Sequence, residues 1–247
     1  MNDIKLVIFD MGNTLLDFHG GKSSDDEKDL IGLKRLSGYI NKNYNSYSTS
    51  EILKLEFLDK WYEDFYIRES ELVELDVTEY LNKALSNYNI FIDEEKSLEL
   101  MKVFYSPYKE EVIVNNNALE LLKAIKRKNI NIGVISNCIL QDEIYIDIFR
   151  ENGLDEYIDN YVFSYSNKHR KPKAILFNKM VDKFNVQAGE VLVIGDNLKA
   201  DIKPANELGF KAIWYNQKKK NLDIDVNFCM EIGNFNEIIS IFNLNER

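Results

Sequence analysis

Residues 4–15 have the sequence IKLVIFDMGNTL, in which an apolar run over residues 4–9 ends at Asp10. The run is short and rich in β-branched side chains, and both properties favour a buried strand over a helix. Asp10 is therefore predicted to lie at the carboxyl end of a first, buried strand.

A long helical region follows this strand. From about residue 22 to residue 106, apolar side chains recur at helical spacing and predict helices only. Ser24 and Glu27 have the spacing of a capping box before the first helix. The later helices are predicted to begin at Thr49 or Ser50, at Thr78 and at Asp93. The chain thus inserts an all-helical segment directly after its first strand.

Beyond Pro107 the pattern alternates between helices and short apolar strands. The strands are predicted at 130–135, 161–164, 191–194 and 211–215. The helices are predicted at about 118–128, at about 139–149, after Pro172, and through Ala205 and Leu208. Such alternation predicts an α/β fold, a Rossmann-like parallel sheet with helices on both faces.

Three polar residues, Asp10, Ser136 and Asp196, come at or just after the carboxyl ends of predicted strands. Ligands of open parallel sheets bind outside the carboxyl ends of the strands. The residues alone therefore predict a pocket lined by two carboxylates and a hydroxyl, with the helical insertion near its mouth.

The composition is that of a folded globular protein whose negative charge repels polyanionic partners. Of the 247 residues, 45% are hydrophobic and 29% are charged, as in ordinary globular domains. The 41 Asp and Glu against 31 Lys and Arg give a net charge of −10, which argues against nucleic acid or an anionic membrane as partner. Only two cysteines, no apolar run of about 18 residues and no signal-peptide pattern predict a protein of the reducing cytoplasm.

Four motifs occur in an order that resembles the haloacid dehalogenase-like (HAD) hydrolase superfamily. They are FDMGNTL at 9–15, VISN at 134–137, KP at 171–172 and IGDN at 194–197, the last followed by Asp201 and Gly209. The resemblance covers residues 4–16 and about 112–216, and it implies an α/β core formed by residues 1–16 and 112–247. For residues 17–111 it rests on position, length and helical pattern, and it implies a helical cap.

The resemblance implies a covalent mechanism on Asp10. This carboxylate would attack phosphorus to form an aspartyl-phosphate. Because an anion then attacks a phosphate dianion, positive charge is required, and Lys171 would neutralise both the nucleophile and the phosphoryl oxygens. The neighbours His169, Arg170 and Lys173 are expected to face solvent.

The resemblance also implies a magnesium site and a phosphoryl site. Magnesium prefers hard oxygen ligands. The implied metal ligands are the carboxylates of Asp10, Asp196 and Asp201 and the backbone carbonyl of Gly12. The implied phosphoryl ligands are the hydroxyls of Thr14 and Ser136, the backbone at Asn137, and Lys171.

Gly12 departs from the commonest family pattern, which has a second aspartate two residues after the nucleophile. That aspartate protonates the leaving oxygen, and such help is typically worth ~10²–10⁴ in rate. Three hypotheses stay open. In the first, another side chain replaces the acid, with Asp17, His19 and the cap glutamates as candidates. In the second, the substrate is an acyl or aryl phosphate that needs no acid. In the third, the chain is a catalytically weak relative that binds phosphorylated ligands.

The expected function is magnesium-dependent hydrolysis of a small phosphorylated metabolite by a monomer or homodimer. Family members that cleave carbon–halogen or carbon–phosphorus bonds also lack the second aspartate, and they are the alternative. The dehalogenases do not need the metal pair, whereas Asp196 and Asp201 are present here. A phosphonate hydrolase uses a cap lysine, for which Lys34, Lys42, Lys54 and Lys60 are available.

Overall fold

A computed structural model describes residues 3–44, 46–221 and 224–243 of the chain and has a parallel sheet at its centre. The strands, in chain order, are β1 (Leu6–Phe9), β2 (Leu16–Asp17), β3 (Ile113–Val114), β4 (Asn131–Ser136), β5 (Asn160–Phe163), β6 (Val191–Gly195), β7 (Lys211–Tyr215) and β8 (Met230–Ile232). Six of them pair in the order β5-β4-β1-β6-β7-β8, all parallel. The remaining two, β2 and β3, form a short antiparallel ribbon. The predicted Rossmann-like sheet is confirmed.

The helices occur before, between and after these strands. They are α1 (Asp25–Tyr44), α2 (Ser50–Leu53), α3 (Asp59–Glu63), α4 (Phe65–Glu71), α5 (Val77–Ser86), α6 (Glu94–Glu110), α7 (Ala118–Arg127), α8 (Asp142–Glu151), α9 (Ser164–Asn167), α10 (Ala174–Phe184), α11 (Lys203–Glu207) and α12 (Asn236–Asn243). Wider π-helical turns connect α2 to α3 at Lys54–Leu58 and precede α11 at Leu198–Ile202. Among the described residues, no helix combines the length and apolarity needed to cross a bilayer.

Strand β1 lies at the centre of the sheet and is buried on both faces. Successive side chains of a strand point to opposite faces. Accordingly, Val7 and Phe9 pack in the apolar cluster with α7 and α12, whereas Leu6 and Ile8 pack in the cluster with α10 and α11. This two-sided burial explains why residues 4–9 are almost continuously apolar rather than alternating.

The register of β1 brings the predicted site residues to one edge. Phe9 pairs with Val134 of β4 and with Ile194 of β6. Asp10 therefore leaves the sheet at the level where β4 and β6 also end, close to Ser136 and Asp196. The juxtaposition is a direct result of parallel pairing.

The described residues between β2 and β3 are mostly helical, and α1 packs along α6. The close approach depends on Gly32, where an added Cβ would overlap the carbonyl oxygen of Phe104. Two details differ from the sequence predictions. Helix α6 continues through Pro107 to Glu110, and the segment after α4 is extended, with Val73 bridging to His169. The ribbon, β8 and α12 were not predicted.

Candidate active site

Asp10 follows β1, and its carboxylate is held in one orientation by three donors, Lys171, Thr14 and Ser136. Its backbone N–H donates to the carbonyl of Ile194 at 2.9 Å. The Lys171 ammonium lies 2.6 Å from one carboxylate oxygen, and the Thr14 hydroxyl donates to the other at 3.0 Å. The Ser136 hydroxyl is 3.5 Å from the oxygen that Lys171 contacts. Charge-assisted hydrogen bonds of this kind fix a carboxylate firmly.

Lys171 is buried, and its three N–H donors are all used. Nζ donates to Asp10 at 2.6 Å, to Asp201 at 2.6 Å and to the carbonyl of Ile135 at 3.0 Å. Burial opposes the positive charge, but the two carboxylates outweigh burial and raise the pKa of Lys171 above its ordinary value. The lysine is therefore a fixed cation between two anions.

Asn137 holds the backbone of Lys171 in place. Its side-chain oxygen accepts from the Lys171 N–H at 2.7 Å, and its side-chain NH₂ donates to the Lys171 carbonyl at 3.2 Å. The amide group is thus committed to positioning the lysine. The expectation that Asn137 binds phosphate rests on its backbone N–H alone.

Three carboxylates converge at the same edge of the sheet. One oxygen from each of Asp10, Asp196 and Asp201 lies within 4.8 Å of the others. Asp201 can approach because residue 195 is glycine: a Cβ there would come within 2.5 Å of the Asp201 carboxylate. The second Asp201 oxygen accepts from the Asn197 N–H at 3.1 Å. Gly195 and the turn at Asn197 thus allow the Asp201 carboxylate to lie beside those of Asp10 and Asp196.

The charge of this cluster suits a divalent cation. Burial raises the pKa of Asp201 to about 7, and it also raises the pKa of Asp196, with Asp10 adding to the effect in both cases. Lys171 and the half-exposed Lys220, which lies 2.8 Å from Asp196, supply two positive charges against three negative ones. Hard oxygen donors with excess negative charge are the donor set that Mg²⁺ prefers, so the residues fit this ion. The carbonyl of Gly12 as a fourth ligand stays a prediction.

Thr14 and its surroundings fix the loop after β1. The Thr14 side chain is fully buried, and its hydroxyl proton is donated to Asp10. Asn115 donates to the Thr14 carbonyl at 2.5 Å and to the Leu15 carbonyl through its backbone at 3.0 Å. Thr14 thus orients the carboxylate in this structure, and its contact with a phosphoryl group stays a prediction. Asn115 was missed because its partner lies about 100 residues away.

A cavity of about 440 Å³ opens beside this cluster. One wall comes from the loops after β1 and β4, and the other comes from α1, α6 and α8. The lining residues are Met11, Gly12, Phe18, His19, Asp25, Asp26, Asp29, Tyr62, Phe104, Tyr105, Tyr108, Ser136, Asn137, Ile139 and Tyr145. The helical segment therefore contributes a wall of this cavity. Of the three residues predicted to line the pocket, Ser136 lies in this lining, whereas Asp196 lines a separate cavity with Lys220.

Of the candidates for a replacement acid, His19 lines the cavity and Asp17 does not. Asp17 is engaged locally, since one of its oxygens accepts from the backbone N–H groups of His19 and Gly20. His19 lines the cavity but pairs with Asp25, 2.8 Å away. Among the described residues, no glutamate lines this cavity, nor does any of the four cap lysines considered for a Schiff base. Asp25, Asp26 and Asp29, which were not predicted as site residues, do line it.

The expectation that Arg170 faces solvent is wrong. Arg170 is 8% exposed, and its guanidinium donates to the buried Glu74 at 2.7 Å. Glu74 also accepts from Arg68 at 2.8 Å and from the Ser164 hydroxyl at 2.5 Å. The Arg170 backbone N–H donates to the Leu72 carbonyl at 3.0 Å. A buried ionic network thus ties the segment after α4 to the loop that carries Lys171.

The fold and this arrangement of carboxylates and lysine define a hydrolytic enzyme built on a Rossmann-like sheet. A family model described as haloacid dehalogenase-like hydrolase matches residues 4–209, which is most of the chain. The chain therefore belongs to the haloacid dehalogenase-like hydrolases, as the four sequence motifs predicted.

Among similar proteins, one relative is named a phosphatase and another a nucleotidase. A ribulose-1,5-bisphosphate 5-phosphatase of Halopiger xanaduensis is 25% identical over 142 residues, which is 58% of this chain and 59% of that protein. The pyrimidine 5'-nucleotidase PynA of Streptococcus pneumoniae is 24% identical over 223 residues, with 86% of this chain and 84% of that protein covered. The chain thus spans about three-fifths of the first relative and most of the second.

Solved structures share the fold. A 2-haloacid dehalogenase from Pseudomonas syringae pv. Tomato superposes with a TM-score of 0.67 at 21% identity, covering 98% of this chain and 99% of the other. The candidate HAD hydrolase YfnB of Bacillus subtilis, solved bound to magnesium, gives 0.61 at 20% identity, covering 97% and 99%. At this level of identity the likeness establishes the fold.

Proposed function

We propose that this chain is a magnesium-dependent phosphatase that hydrolyses a small phosphorylated metabolite through an aspartyl-phosphate on Asp10. The observation that carries the proposal is the geometry of Asp10. Its carboxylate is fixed by Lys171 and Thr14 at the carboxyl edge of the sheet, next to two further carboxylates and beside a cavity. Relatives named as phosphatases support the choice of a phosphoryl group as the transferred group.

In the first step, an oxygen of Asp10 attacks phosphorus while the bond from phosphorus to the leaving oxygen breaks. Lys171 stays charged throughout and reduces the repulsion between the anionic nucleophile and the anionic phosphoryl group. The Ser136 hydroxyl and the backbone N–H groups near Gly12 and Asn137 orient the phosphoryl oxygens. When bound by Asp10, Asp196, Asp201 and the Gly12 carbonyl, Mg²⁺ supplies further positive charge at those oxygens.

In the second step, water attacks phosphorus of the aspartyl-phosphate, and the bond to the Asp10 oxygen breaks. Inorganic phosphate is released and the carboxylate is restored. Residues 17–111 act as a cap on the core formed by residues 1–16 and 112–247, and they exclude bulk water from the site during the first transfer. The cavity walls from α1 and α6 are consistent with this role.

The test uses p-nitrophenyl phosphate, whose leaving group needs no acid, with Mg²⁺ and with a chelator. We expect turnover that requires the metal and is lost in Asp10→Asn. Asp182→Asn, which changes an exposed aspartate on α10, is the matched control and keeps full activity. A metal-dependent complex with a fluoride-based phosphoryl mimic, absent in Asp10→Asn, supports the covalent step. Turnover by Asp10→Asn at the wild-type rate refutes the mechanism.

The second candidate is hydrolysis of a carbon–halogen bond, because residue 12 is glycine and dehalogenases share the fold. The same carboxylate would then attack carbon, and no metal would be needed. Two observations favour the phosphatase: the carboxylate cluster suits a cation, and Asp25, Asp26 and Asp29 in the cavity disfavour a carboxylate-bearing haloacid. Halide release from a 2-haloacid in the presence of a chelator would reverse this preference.

A further inference from the structure

The cavity beside Asp10 has aromatic walls. Tyr105 and Tyr108 of α6 stack with ring centroids 4.7 Å apart and an interplanar angle of 8°. Tyr145 of α8 meets Tyr105 and Phe18 edge to face, at 5.8 and 6.2 Å between centroids. The faces of such rings carry negative potential and attract cations, including quaternary ammonium groups.

The same cavity is lined by three carboxylates, those of Asp25, Asp26 and Asp29. Asp29 is 7% exposed, and its two oxygens accept from the hydroxyls of Tyr62 at 2.8 Å and Tyr108 at 3.0 Å. A carboxylate has about four acceptor sites, so two hydroxyls leave it capacity for another donor. Among the described residues, the lining contains no lysine or arginine.

Lys28 shows that this wall stabilises an ammonium group. Its side chain is fully buried, and Nζ donates to the carbonyl of Phe18 at 2.8 Å. The same nitrogen lies 5.3 Å from the centre of the Tyr108 ring and 3.8 Å from Asp25. Lys28 and His19 both lie against Asp25. Among the described residues no cation pairs with Asp26 or Asp29, so these two carboxylates keep the cavity acidic beside the aromatic side chains. The environment thus rejects anionic groups and favours cations.

We propose that this cavity binds the cationic end of the leaving group, so that the substrates are phosphate monoesters of small amino or quaternary ammonium alcohols. The inference rests on the proposed function, because Met11, Gly12 and Ser136 of the cavity border the place where Asp10 meets the phosphoryl group. The phosphate end lies against Lys171 and the carboxylate cluster, and the cation lies against the wall formed by α1 and α6. Substrates with a second phosphate or a carboxylate meet like charge there and bind poorly.

The experiment compares two ligands that differ by one atom. Choline phosphate and 3,3-dimethylbutyl phosphate have the same shape, but the first has a positive nitrogen where the second has a neutral carbon. Each is measured as a competitive inhibitor of p-nitrophenyl phosphate hydrolysis and, independently, by calorimetry. We expect choline phosphate to bind about tenfold more tightly, because Asp26 and Asp29 attract its positive nitrogen and not the neutral carbon of the analogue.

Variants assign the preference to the cavity. The preference is the inhibition constant of 3,3-dimethylbutyl phosphate divided by that of choline phosphate. We expect this ratio to fall in Asp29→Asn and, separately, in Asp26→Asn, which changes an exposed residue. Asp182→Asn alters net charge equally but lies on α10, and it leaves the ratio unchanged. The Asp26 variant keeps the test valid if Asp29→Asn fails to fold. Equal binding of the two phosphates by the wild type overturns the inference, as does a preference that both cavity variants retain.

The hydrolysis assay tests the proposed function, and the binding comparison tests the substrate class. If p-nitrophenyl phosphate is hydrolysed but charge makes no difference to binding, only the substrate class is wrong. If no phosphate ester is hydrolysed, the proposed function fails, and calorimetry with the two ligands still measures whether the cavity selects a cation.

Discussion

Replacing Gly12 with aspartate tests whether the chain lacks a general acid. The structure accommodates the change: a Cβ built on Gly12 has no atom within 4 Å, and the residue borders the cavity beside Ser136. Gly12 is not among the residues with positive φ, so an added side chain meets no backbone strain. Glycine at this position is therefore not required by the fold.

The expected gain depends on the leaving group. A positioned acid contributes about 10²–10⁴ in rate, which corresponds to about 2.7–5.5 kcal/mol of barrier. An alkoxide needs that proton, whereas p-nitrophenolate leaves as a stable anion. We therefore expect Gly12→Asp to raise kcat/KM for glycerol 2-phosphate at least a hundredfold, while p-nitrophenyl phosphate changes by less than about tenfold.

Steady-state kinetics on both substrates with saturating Mg²⁺ measure this difference. Gly12→Asn is the control, since it has the shape of aspartate without a transferable proton, and it should speed neither reaction. An equal effect of Gly12→Asp on both substrates, or a loss on both, refutes the reasoning. In that case either another side chain already protonates the leaving oxygen or the natural substrate needs no acid.

Two further predictions concern buried carboxylates. Glu74→Ala leaves Arg68 and Arg170 buried without their shared partner, so the free energy of unfolding, measured by urea titration, should fall by about 3–5 kcal/mol; a loss below 1 kcal/mol contradicts the network. For Asp29, burial raises the pKa despite the hydroxyls of Tyr62 and Tyr108, so folding favours its protonated form. The stability it contributes is complete below the unfolded pKa of about 3.9 and is lost as pH rises through the folded pKa. The stability of the wild type relative to Asp29→Asn should therefore decline from pH 4 upward, and a difference that grows with pH is incompatible with this assignment.

The parallel sheet could be predicted because each of its central strands is recognisable from a short stretch of sequence. Each central strand is a short apolar run, and parallel pairing then places Asp10, Ser136 and Asp196 at one edge whatever the remainder of the chain does. The helices between β2 and β3 follow from helical spacing in the same way. The ribbon of β2 and β3 has only two residues in each strand, too few for any periodic pattern.

The side-chain contacts that were not predicted involve residues far apart in the sequence. An arginine is usually solvated, so nothing in the sequence around Arg170 indicates that Glu74 will enclose it. The positioning role of the Asn137 side chain was not predicted for a similar reason, since its amide bonds to a backbone 34 positions away. Asp29 occupies a polar stretch at the start of α1, and only the packing of α1 against α6 turns it toward Tyr108.

The Glu74 network limits how the helical segment can open. The segment joins the core through the ribbon of β2 and β3, but it is also attached by Glu74 to Arg170, the residue next to Lys171. A rigid rotation of all of residues 17–111 away from the sheet breaks buried ion pairs, at a cost of several kcal/mol. A movement of α1 and α6 that leaves residues 68–76 in place breaks none of them. Because α1 and α6 form the cavity wall, we expect a substrate to enter by this smaller movement while Lys171 stays bonded to Asp10.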